Sequence, residues 1–214
     1  ARGLGNGNTE RLGGTLDDLA RSSDKLHANA QDLLNWIKRQ DGRIDLRIAS
    51  VAVAGLVDSV MDMERERAMD QRVLLVNEVA TDIVVRTDRN VLSIVLHNLL
   101  ANAVTHTKQG SVTVLGAMQG DAYHLTVRDT GIGMPEAALR HAQRVQRKGA
   151  LGAMNDEGER DVQGLGLLIV ADLLELLGGR FSVESEAGIG TVITLTLPID
   201  VLQDAGIEAT EVDQ

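Results

Sequence analysis

The sequence contains no cysteine and almost no aromatic side chains. Trp36, Tyr123 and Phe181 are the only Trp, Tyr and Phe among 214 residues. Without cysteine the chain forms neither disulfides nor thiolate metal sites. Because aromatics are so few, the core must be aliphatic, and a nucleic-acid module that stacks bases on aromatic side chains is disfavoured.

Positive charge is also scarce. Lys and Arg number 21 against 31 Asp and Glu, which gives a net charge of −10 at pH 7. A large contact with a phosphate backbone needs clustered Lys and Arg, so nucleic acid is not expected as a partner. A single nucleotide remains compatible with this charge, because Mg²⁺, backbone amides and a few donors can hold its phosphates.

Long apolar runs and a signal-peptide pattern are missing as well. No run reaches the roughly 18–20 residues that a helix needs to span a bilayer. We therefore expect a soluble, cytoplasmic chain without direct membrane contact. The sequence leaves open whether it acts alone or as the cytoplasmic part of a membrane-bound parent.

Residues 1–42 differ in pattern from the rest of the chain. Residues 1–8 are glycine-rich and predict a flexible lead-in. Over residues 11–40, mostly apolar residues recur at alternating spacings of four and three, which predicts the seam of a coiled coil or a four-helix bundle. One helix cannot bury such a seam alone, which favours pairing with another copy or a partner chain; packing on its own domain is the alternative. The seam consists of Leu12, Leu16, Leu19, Ser23, Leu26, Ala30, Leu33 and Ile37.

Residues 43–200 mix strand and helix patterns and predict one α+β domain. We expect a two-layer sandwich, with a mixed or antiparallel sheet covered on one face by three helices. Residues 143–163 carry glycines, charges and no clear period, and predict a long loop. Residues 201–214 predict an acidic tail. Strands are expected near 44–50, 72–76, 83–86, 111–118, 121–128, 180–186 and 190–197, and helices near 52–68, 89–105 and 165–177.

The helix near 89–105, with Asp88 as its predicted N-cap, carries two amide side chains on one face. Asn98 and Asn102 are four residues apart, and His106 lies one further step along. Two amides on an apolar helix are costly to bury unless something satisfies them. Mg²⁺ with nucleotide phosphates would do so, because amide oxygens are hard ligands and amide nitrogens are donors. Bonds to backbone or water are the alternative.

Three glycine motifs follow. Asp129-Thr130-Gly131-Ile132-Gly133 comes directly after a predicted strand, where a carboxylate can accept from the adenine amine and glycines let the backbone approach a flat ring. A tight turn alone would explain the same motif. Gly164-Leu165-Gly166-Leu167 opens a helix, whose first N–H groups suit phosphate. Gly188-Ile189-Gly190-Thr191 predicts a hairpin turn.

In this order, the four motifs resemble the N, G1, G2 and G3 boxes of bacterial sensor histidine kinases, whose superfamily includes DNA gyrase and the MutL mismatch-repair proteins. The resemblance covers roughly residues 11–198, because Asp32-Leu33-Leu34 and the seam are similar to the second helix of the family's dimerisation domain. It implies a Bergerat-type sandwich that transfers the γ-phosphoryl group of Mg-ATP to a histidine. It also implies a homodimer or partner kinase bound through residues 11–40, and a response regulator or receiver domain as a further partner.

The resemblance also implies a role for each motif. Asn102 would coordinate Mg²⁺, and Asn98 would lie beside the phosphates. Asp129 would bind adenine with help from Thr191, and residues 164–167 would form the end of a lid over the triphosphate. No residue of this chain is expected to be catalytic. The predicted ATP-binding set is Asn98, Asn102, Thr105, His106, Asp129, Gly131, Gly133, Gly164, Leu165, Gly166, Leu167 and Thr191, with Asn102 as the metal ligand.

Several positions depart from the family pattern. An acidic residue and then a proline normally follow the phosphoacceptor histidine, and none of the five histidines has this context. The first dimerisation helix is therefore expected to be missing from the chain. Thr105 replaces a phosphate-facing cation, His106 replaces an aromatic residue, and Val162 replaces the first glycine of the G2 box. Residues 136–163 lack the aromatic residue of the family's lid. The histidines are His27, His97, His106, His124 and His141.

Three functions stay open. The leading one is the ATP-binding catalytic region of a two-component sensor histidine kinase, whose acceptor histidine comes from another segment or chain. The second is a degenerate kinase-like module that regulates a partner kinase through helix pairing, motivated by Thr105 and the lid without Phe. The third is an ATPase or anti-sigma-factor kinase of the same superfamily, which the helical seam disfavours because those relatives lack it.

Overall fold

The computed structural model describes residues 46–154 and 165–198. The predicted helix over residues 11–40, the predicted tail and the residues Val162 and Gly164 lie outside this part of the chain. The described elements in chain order are β1 (Ile48–Ala52), α1 (Val53–Gln71), β2 (Val73–Glu78), β3 (Val84–Asp88), α2 (Arg89–His106), β4 (Gly110–Gln119), β5 (Ala122–Asp129), α3 (Glu136–Met154), α4 (Leu165–Leu176), β6 (Arg180–Glu186) and β7 (Gly190–Pro198).

Five strands form the main sheet, in the order β2-β4-β5-β7-β6. β2 and β4 pair in parallel, and the other neighbours are antiparallel. The sheet is therefore mixed, which confirms the α+β prediction. Tyr123, Leu125 and Val127 of β5 are all buried on one face, as their alternation predicts. β1 and β3 pair with each other in a separate sheet of two strands. The sequence pattern does not show that the strands divide into two sheets.

The helices lie side by side over the sheet. α2 packs between α1 and α4, while α3 packs against α4 and β6. The buried core between them is mainly Val, Leu, Ile and Ala, with Tyr123 and Phe181 as its aromatic members. No helix in the described ranges is both long and apolar enough to cross a bilayer.

The helix α3 corrects two predictions. The sequence predicts a loop over residues 143–163 and three helices over the sheet, yet Glu136–Met154 is helical and makes a fourth. Residues 155–163 of the predicted loop lie outside the described part of the chain. Ala142 and Val145 lie three residues apart and are both buried, so one narrow face of this charged segment is packed. That face is too short to give a clear period in the sequence. Gly149 interrupts the helical dihedrals with φ 70° and ψ 177°.

Two side chains fix the ends of α2, the helix that carries the amides. At its start Asp88 accepts hydrogen bonds from the N–H groups of Asn90 (2.9 Å) and Val91 (3.1 Å), which confirms the predicted cap. At its end the side-chain amide of Gln71, oriented to satisfy both groups, donates to the carbonyl oxygens of Val104 (2.9 Å) and Thr107 (2.8 Å). Carbonyl groups that a helix end leaves without partners are thereby satisfied.

Candidate functional site

Asp129 ends β5 and joins two of the predicted motifs. Its Oδ1 accepts hydrogen bonds from the backbone N–H groups of Gly131 (2.8 Å) and Thr191 (3.2 Å). Within the described ranges no hydrogen bond reaches Oδ2. Because Oδ1 holds the backbone, Oδ2 is left to accept a donor from a ligand.

The surroundings of Asp129 alter its acidity. Burial raises the pKa of its carboxyl above the ordinary value of 3.8. The N–H groups of Gly131 and Thr191 and the electrostatic interaction with His106 lower the pKa in part. A ligand that donates a hydrogen bond to this incompletely solvated carboxylate would compensate the lost hydration.

Gly131 and Gly133 allow the loop after β5 to pack tightly. A Cβ atom on Gly131 would overlap the carbonyl oxygen of His106, and the N–H of Ile132 donates to that same oxygen (3.1 Å). Gly133 has φ 64°, and a Cβ atom there would overlap the carbonyl oxygen of Glu186. The loop is therefore a tight turn held between the end of α2 and the β6–β7 hairpin.

Ser185 ties this loop to the β6–β7 hairpin, and sequence reasoning missed it. Its Oγ accepts from the N–H of Met134 (2.8 Å), donates to the carbonyl oxygen of Gly190 (2.9 Å) and lies 2.9 Å from Oγ1 of Thr191. The pairing of β6 with β7 brings Ser185 opposite Thr191, and the packing of the loop after β5 brings Met134 to the same hydroxyl. A strand pairing deduced from the Gly188-x-Gly190 turn is the signal that could have found it.

Asn98 and Asn102 face the start of α4. A Cβ atom on Gly166 would lie 3.2 Å from Nδ2 of Asn102 and 3.6 Å from Oδ1 of Asn98. Nδ2 of buried Asn98 donates to the carbonyl oxygen of Ile94 (2.9 Å), one turn earlier in α2. Asn102 is exposed and forms no hydrogen bond with the described residues. The two amides and the first turn of α4 therefore line one cleft.

The remaining predicted residues lie between or beside the loop of Asp129 and the cleft lined by Asn98 and Asn102. Thr105 is half-buried and His106 is exposed, both in the last turn of α2. His106 connects the groups, because its carbonyl oxygen accepts from Ile132 in the loop after β5. Leu165 begins α4, and Leu167 is half-buried two residues later.

The amide face fits a magnesium ion that brings most of its own ligands. Within residues 46–154 and 165–198, no group of three or more His, Cys, Asp or Glu is placed to hold a metal. Mg²⁺ commonly keeps several waters and binds one or two protein oxygens together with substrate phosphates. The exposed amide of Asn102 suits such a partial site, because its oxygen has no competing partner in the described structure.

Comparison with known proteins gives both a family and relatives. Residues 87–201 match the family described as "Histidine kinase-, DNA gyrase B-, and HSP90-like ATPase". The sensor histidine kinase AtsR of Burkholderia thailandensis is 29% identical over 194 residues, which are 87% of this chain and 31% of AtsR. The chain thus spans about a third of the length of that relative.

Solved structures agree with the fold. The structure of full-length ShkA in complex with AMPPNP is 27% identical, with a TM-score of 0.66, and the match covers 87% of this chain and 38% of ShkA. The structure of ThkA in complex with the response regulator protein TrrA has the same TM-score of 0.66 at 19% identity, covering 88% of this chain and 51% of that one. At that identity the likeness to ThkA shows the fold alone.

Proposed function

Because the chain belongs to the histidine kinase-, DNA gyrase B-, and HSP90-like ATPase family and has the catalytic domain of a sensor histidine kinase, we propose that it binds Mg-ATP and transfers the γ-phosphoryl group to a histidine outside this chain. One observation carries the proposal: the loop of Asp129 and the amides of Asn98 and Asn102 are joined through the end of α2. An adenine-binding end and a phosphate-binding end would then belong to one cleft.

At the adenine end, Oδ2 of Asp129 would accept a hydrogen bond from the exocyclic amine. Its other oxygen is held by Gly131 and Thr191, so the carboxylate is oriented before the ligand arrives. A preorganised acceptor loses less freedom on binding, which favours affinity. The absence of a Cβ atom at Gly131 and Gly133 lets this loop pack against the carbonyl oxygens of His106 and Glu186, which would fix its backbone beside the ring.

At the phosphate end, Asn102 would contribute an oxygen to magnesium and Asn98 would contact the phosphates. The N–H groups at the start of α4, near Gly166, would donate to phosphate oxygens, where the helix dipole also favours negative charge. Magnesium, when bound, would neutralise the charge that develops on the transferred group. The chain itself then mainly orients the triphosphate, since phosphoryl transfer needs little covalent help from the protein.

The acceptor histidine and the partners extend the proposal beyond the described residues. We infer a domain division into residues 1–42, 43–200 and 201–214, with pairing to a second copy or a partner kinase through residues 11–40. The helix pair would present a histidine from another segment or chain. A response regulator would receive the phosphoryl group, as suggested by the complex of ThkA with TrrA. A cytoplasmic location belongs to the same proposal.

A second candidate is the regulatory module that does not turn over ATP. It is favoured by Thr105, a half-buried neutral side chain in the last turn of α2, where the kinase family usually has Lys or Arg. One phosphate-facing charge is thereby lost, and transition-state charge on the phosphoryl group would be less well stabilised. This candidate shares the ATP-binding cleft and differs in the transfer step.

Calorimetric titration with ATP, with and without Mg²⁺, tests the cleft. Asp129→Asn and Asn102→Ala are expected to weaken binding, and only Asn102→Ala should reduce the effect of Mg²⁺. Asp121→Asn and Asn90→Ala are matched controls, because both side chains are exposed and lie outside the cleft. Wild-type protein that binds no ATP would overturn the proposal.

Transfer is tested separately by adding an intact dimerisation domain of a sensor kinase and following labelled γ-phosphate. Label on the added domain supports the kinase. Binding of ATP without any transfer supports the regulatory module instead. Label on this chain's own histidines would contradict the proposal that the acceptor lies outside the chain.

A further inference from the structure

The hydroxyl of Ser185 has three polar neighbours, and only one arrangement of hydrogens satisfies all of them. The N–H of Met134 can only donate, and the carbonyl oxygen of Gly190 can only accept. Ser185 has one hydroxyl hydrogen, which therefore goes to Gly190. The 2.9 Å contact with Oγ1 of Thr191 then requires the Thr191 hydroxyl to donate to Ser185.

This arrangement fixes what Thr191 can offer to a ligand. Its hydroxyl hydrogen is used within the protein, so its oxygen presents lone pairs only. Thr191 lies opposite Asp129 in the β5–β7 register and opposite Ser185 in the β6–β7 register. Directly opposed residues project from the same face of a sheet. Asp129, Thr191 and Ser185 therefore lie side by side across β5, β7 and β6. The first two present acceptors to a ligand, namely the ionised carboxylate of Asp129 and Oγ1 of Thr191.

We propose that Ser185 is a positioning residue that makes the site select a 6-amino purine over a 6-oxo purine. The inference rests on the proposed nucleotide-binding function. The amine of adenine donates to acceptors of this kind. The 6-oxo group of hypoxanthine or guanine presents lone pairs, which would face those of Asp129 and Thr191 without a hydrogen between them.

Ser185 contacts no part of the base in this arrangement and acts through Thr191. In Ser185→Ala the Thr191 hydroxyl loses its acceptor and is free to rotate. It can then donate to a 6-oxo group, so discrimination against that group decreases. The ratio of ATP affinity to inosine triphosphate affinity is expected to fall by roughly fivefold to tenfold, the size of one neutral hydrogen bond.

Competition calorimetry with ATP and inosine triphosphate in Mg²⁺ measures this ratio. The two nucleotides differ only at positions 1 and 6 of the base, so the phosphate end is held constant. Ser185→Thr keeps the hydroxyl and should keep the wild-type ratio. Ser182→Ala is the matched control, because Ser182 lies on the same strand, is exposed and is paired with Thr194 instead of Thr191.

A double-mutant cycle with Thr191→Val separates positioning from simple support of the fold. Thr191→Val removes the acceptor and should also lower the ratio. Once Thr191 is Val, Ser185→Ala should change the ratio no further, because the hydroxyl through which it acts is gone. If Ser185→Ala does not fold, Ser185→Thr must keep the ratio and Thr191→Val must lower it.

Three results would overturn the inference. They are equal losses of affinity for both nucleotides in Ser185→Ala, additive effects of the two substitutions on the ratio, and wild-type protein that binds both nucleotides without preference. Wild-type protein that binds neither nucleotide would overturn the proposed function itself, so the two failures are distinguishable.

Discussion

The backbone N–H of Thr191 donates to Oδ1 of Asp129 over 3.2 Å, although the two residues lie 62 positions apart in the chain. They are direct partners in the antiparallel pairing of β5 with β7. The register of one strand pair therefore brings the motif after β5 and the motif before β7 to the same point. A slip of one residue would turn one of the two side chains to the other face and dismantle the site.

Asp129→Asn is expected to weaken ATP binding and to stabilise the nucleotide-free domain at neutral pH. An asparagine oxygen can still accept from Gly131 and Thr191, but the loss of charge should reduce ATP affinity roughly 10-fold or more. Burial raises the pKa of Asp129 above 3.8, so the folded state holds the proton more tightly than the unfolded state. The contribution of this group to stability is then present at low pH and lost as the pH rises through the raised pKa.

Scanning calorimetry at a series of acidic to neutral pH values tests whether the contribution of Asp129 to stability falls as the pH rises. The difference in melting temperature between Asp129→Asn and wild type should be smallest below pH 4, grow as the pH rises and then level off, since the ordinary pKa of Asp is about 4. Asp121→Asn, at an exposed position, should show no such rise. A difference that shrinks as the pH rises would contradict the assignment.

Gly133→Ala should impair both stability and ATP binding, whereas Gly120→Ala should impair stability alone. Both glycines have positive φ, 64° and 58°, so each alanine costs about 1–2 kcal/mol in backbone strain. A Cβ atom at Gly133 would also overlap the carbonyl oxygen of Glu186, while one at Gly120 has no atom within 4 Å. Urea unfolding of the two variants measures the backbone strain that they share. ATP titration measures the displacement of the loop, which is expected only in Gly133→Ala. Equal effects on ATP binding would contradict the role of the Gly133 contact.

Much of the fold is readable from local sequence because local interactions decide it. Asp88 is recognisable as a cap since its side chain bonds N–H groups two and three residues ahead. The buried face of β5 follows from strict alternation. The helix α3 escapes detection because, over residues 136–149, charged side chains outnumber the two buried ones, Ala142 and Val145.

The candidate site is readable only in part, for a related physical reason. Each motif has its own signature, but the contacts between motifs depend on strand order and helix packing. Ser185 has no signature of its own, since its neighbours Met134 and Thr191 are reached only through the tertiary structure. Resemblance to a family supplies the order of the motifs, and the described structure supplies their distances.

Asp88→Ala should lower stability without changing ATP affinity. It removes a cap that bonds two N–H groups of α2 and a further bond from the N–H of Arg47 (2.7 Å), a loss of about 1–2 kcal/mol. The cap lies at the opposite end of α2 from His106, so the cleft should be unaffected once the protein is folded. Asp88→Asn keeps one oxygen for the cap but replaces the other with a donor, so in urea unfolding it should recover the stability due to the cap and not that due to the bond from Arg47. A large loss of ATP affinity in folded Asp88→Ala would contradict this separation.

Tyr123→Phe should leave stability unchanged or raise it by up to about 1 kcal/mol. The Tyr123 hydroxyl is buried and has no hydrogen-bond partner in the described structure, so removing it removes an unsatisfied polar group. Burial also raises the pKa of Tyr123 to about 12, and the phenol should stay protonated well above pH 10 in an absorbance titration. A loss of more than about 1 kcal/mol in Tyr123→Phe would mean that the hydroxyl is hydrogen-bonded after all.

Gly166→Ala tests whether α4 closes the phosphate end of the cleft. Alanine favours a helix over glycine by up to about 1 kcal/mol, so the nucleotide-free domain should be as stable as wild type or more stable. The new Cβ atom would lie 3.2 Å from Nδ2 of Asn102 and 3.6 Å from Oδ1 of Asn98, in the space proposed for phosphate and magnesium.

The variant should therefore lose affinity for ATP while its affinity for adenosine, which has no phosphate, stays within about twofold. Calorimetry with the two ligands gives the comparison directly, and unfolding of the free protein confirms that the fold is intact. Gly55→Ala is the matched control, since Gly55 is also in a helix and a Cβ atom there meets nothing within 4 Å. If ATP and adenosine weakened by the same factor, the amides of α2 would not line the phosphate end.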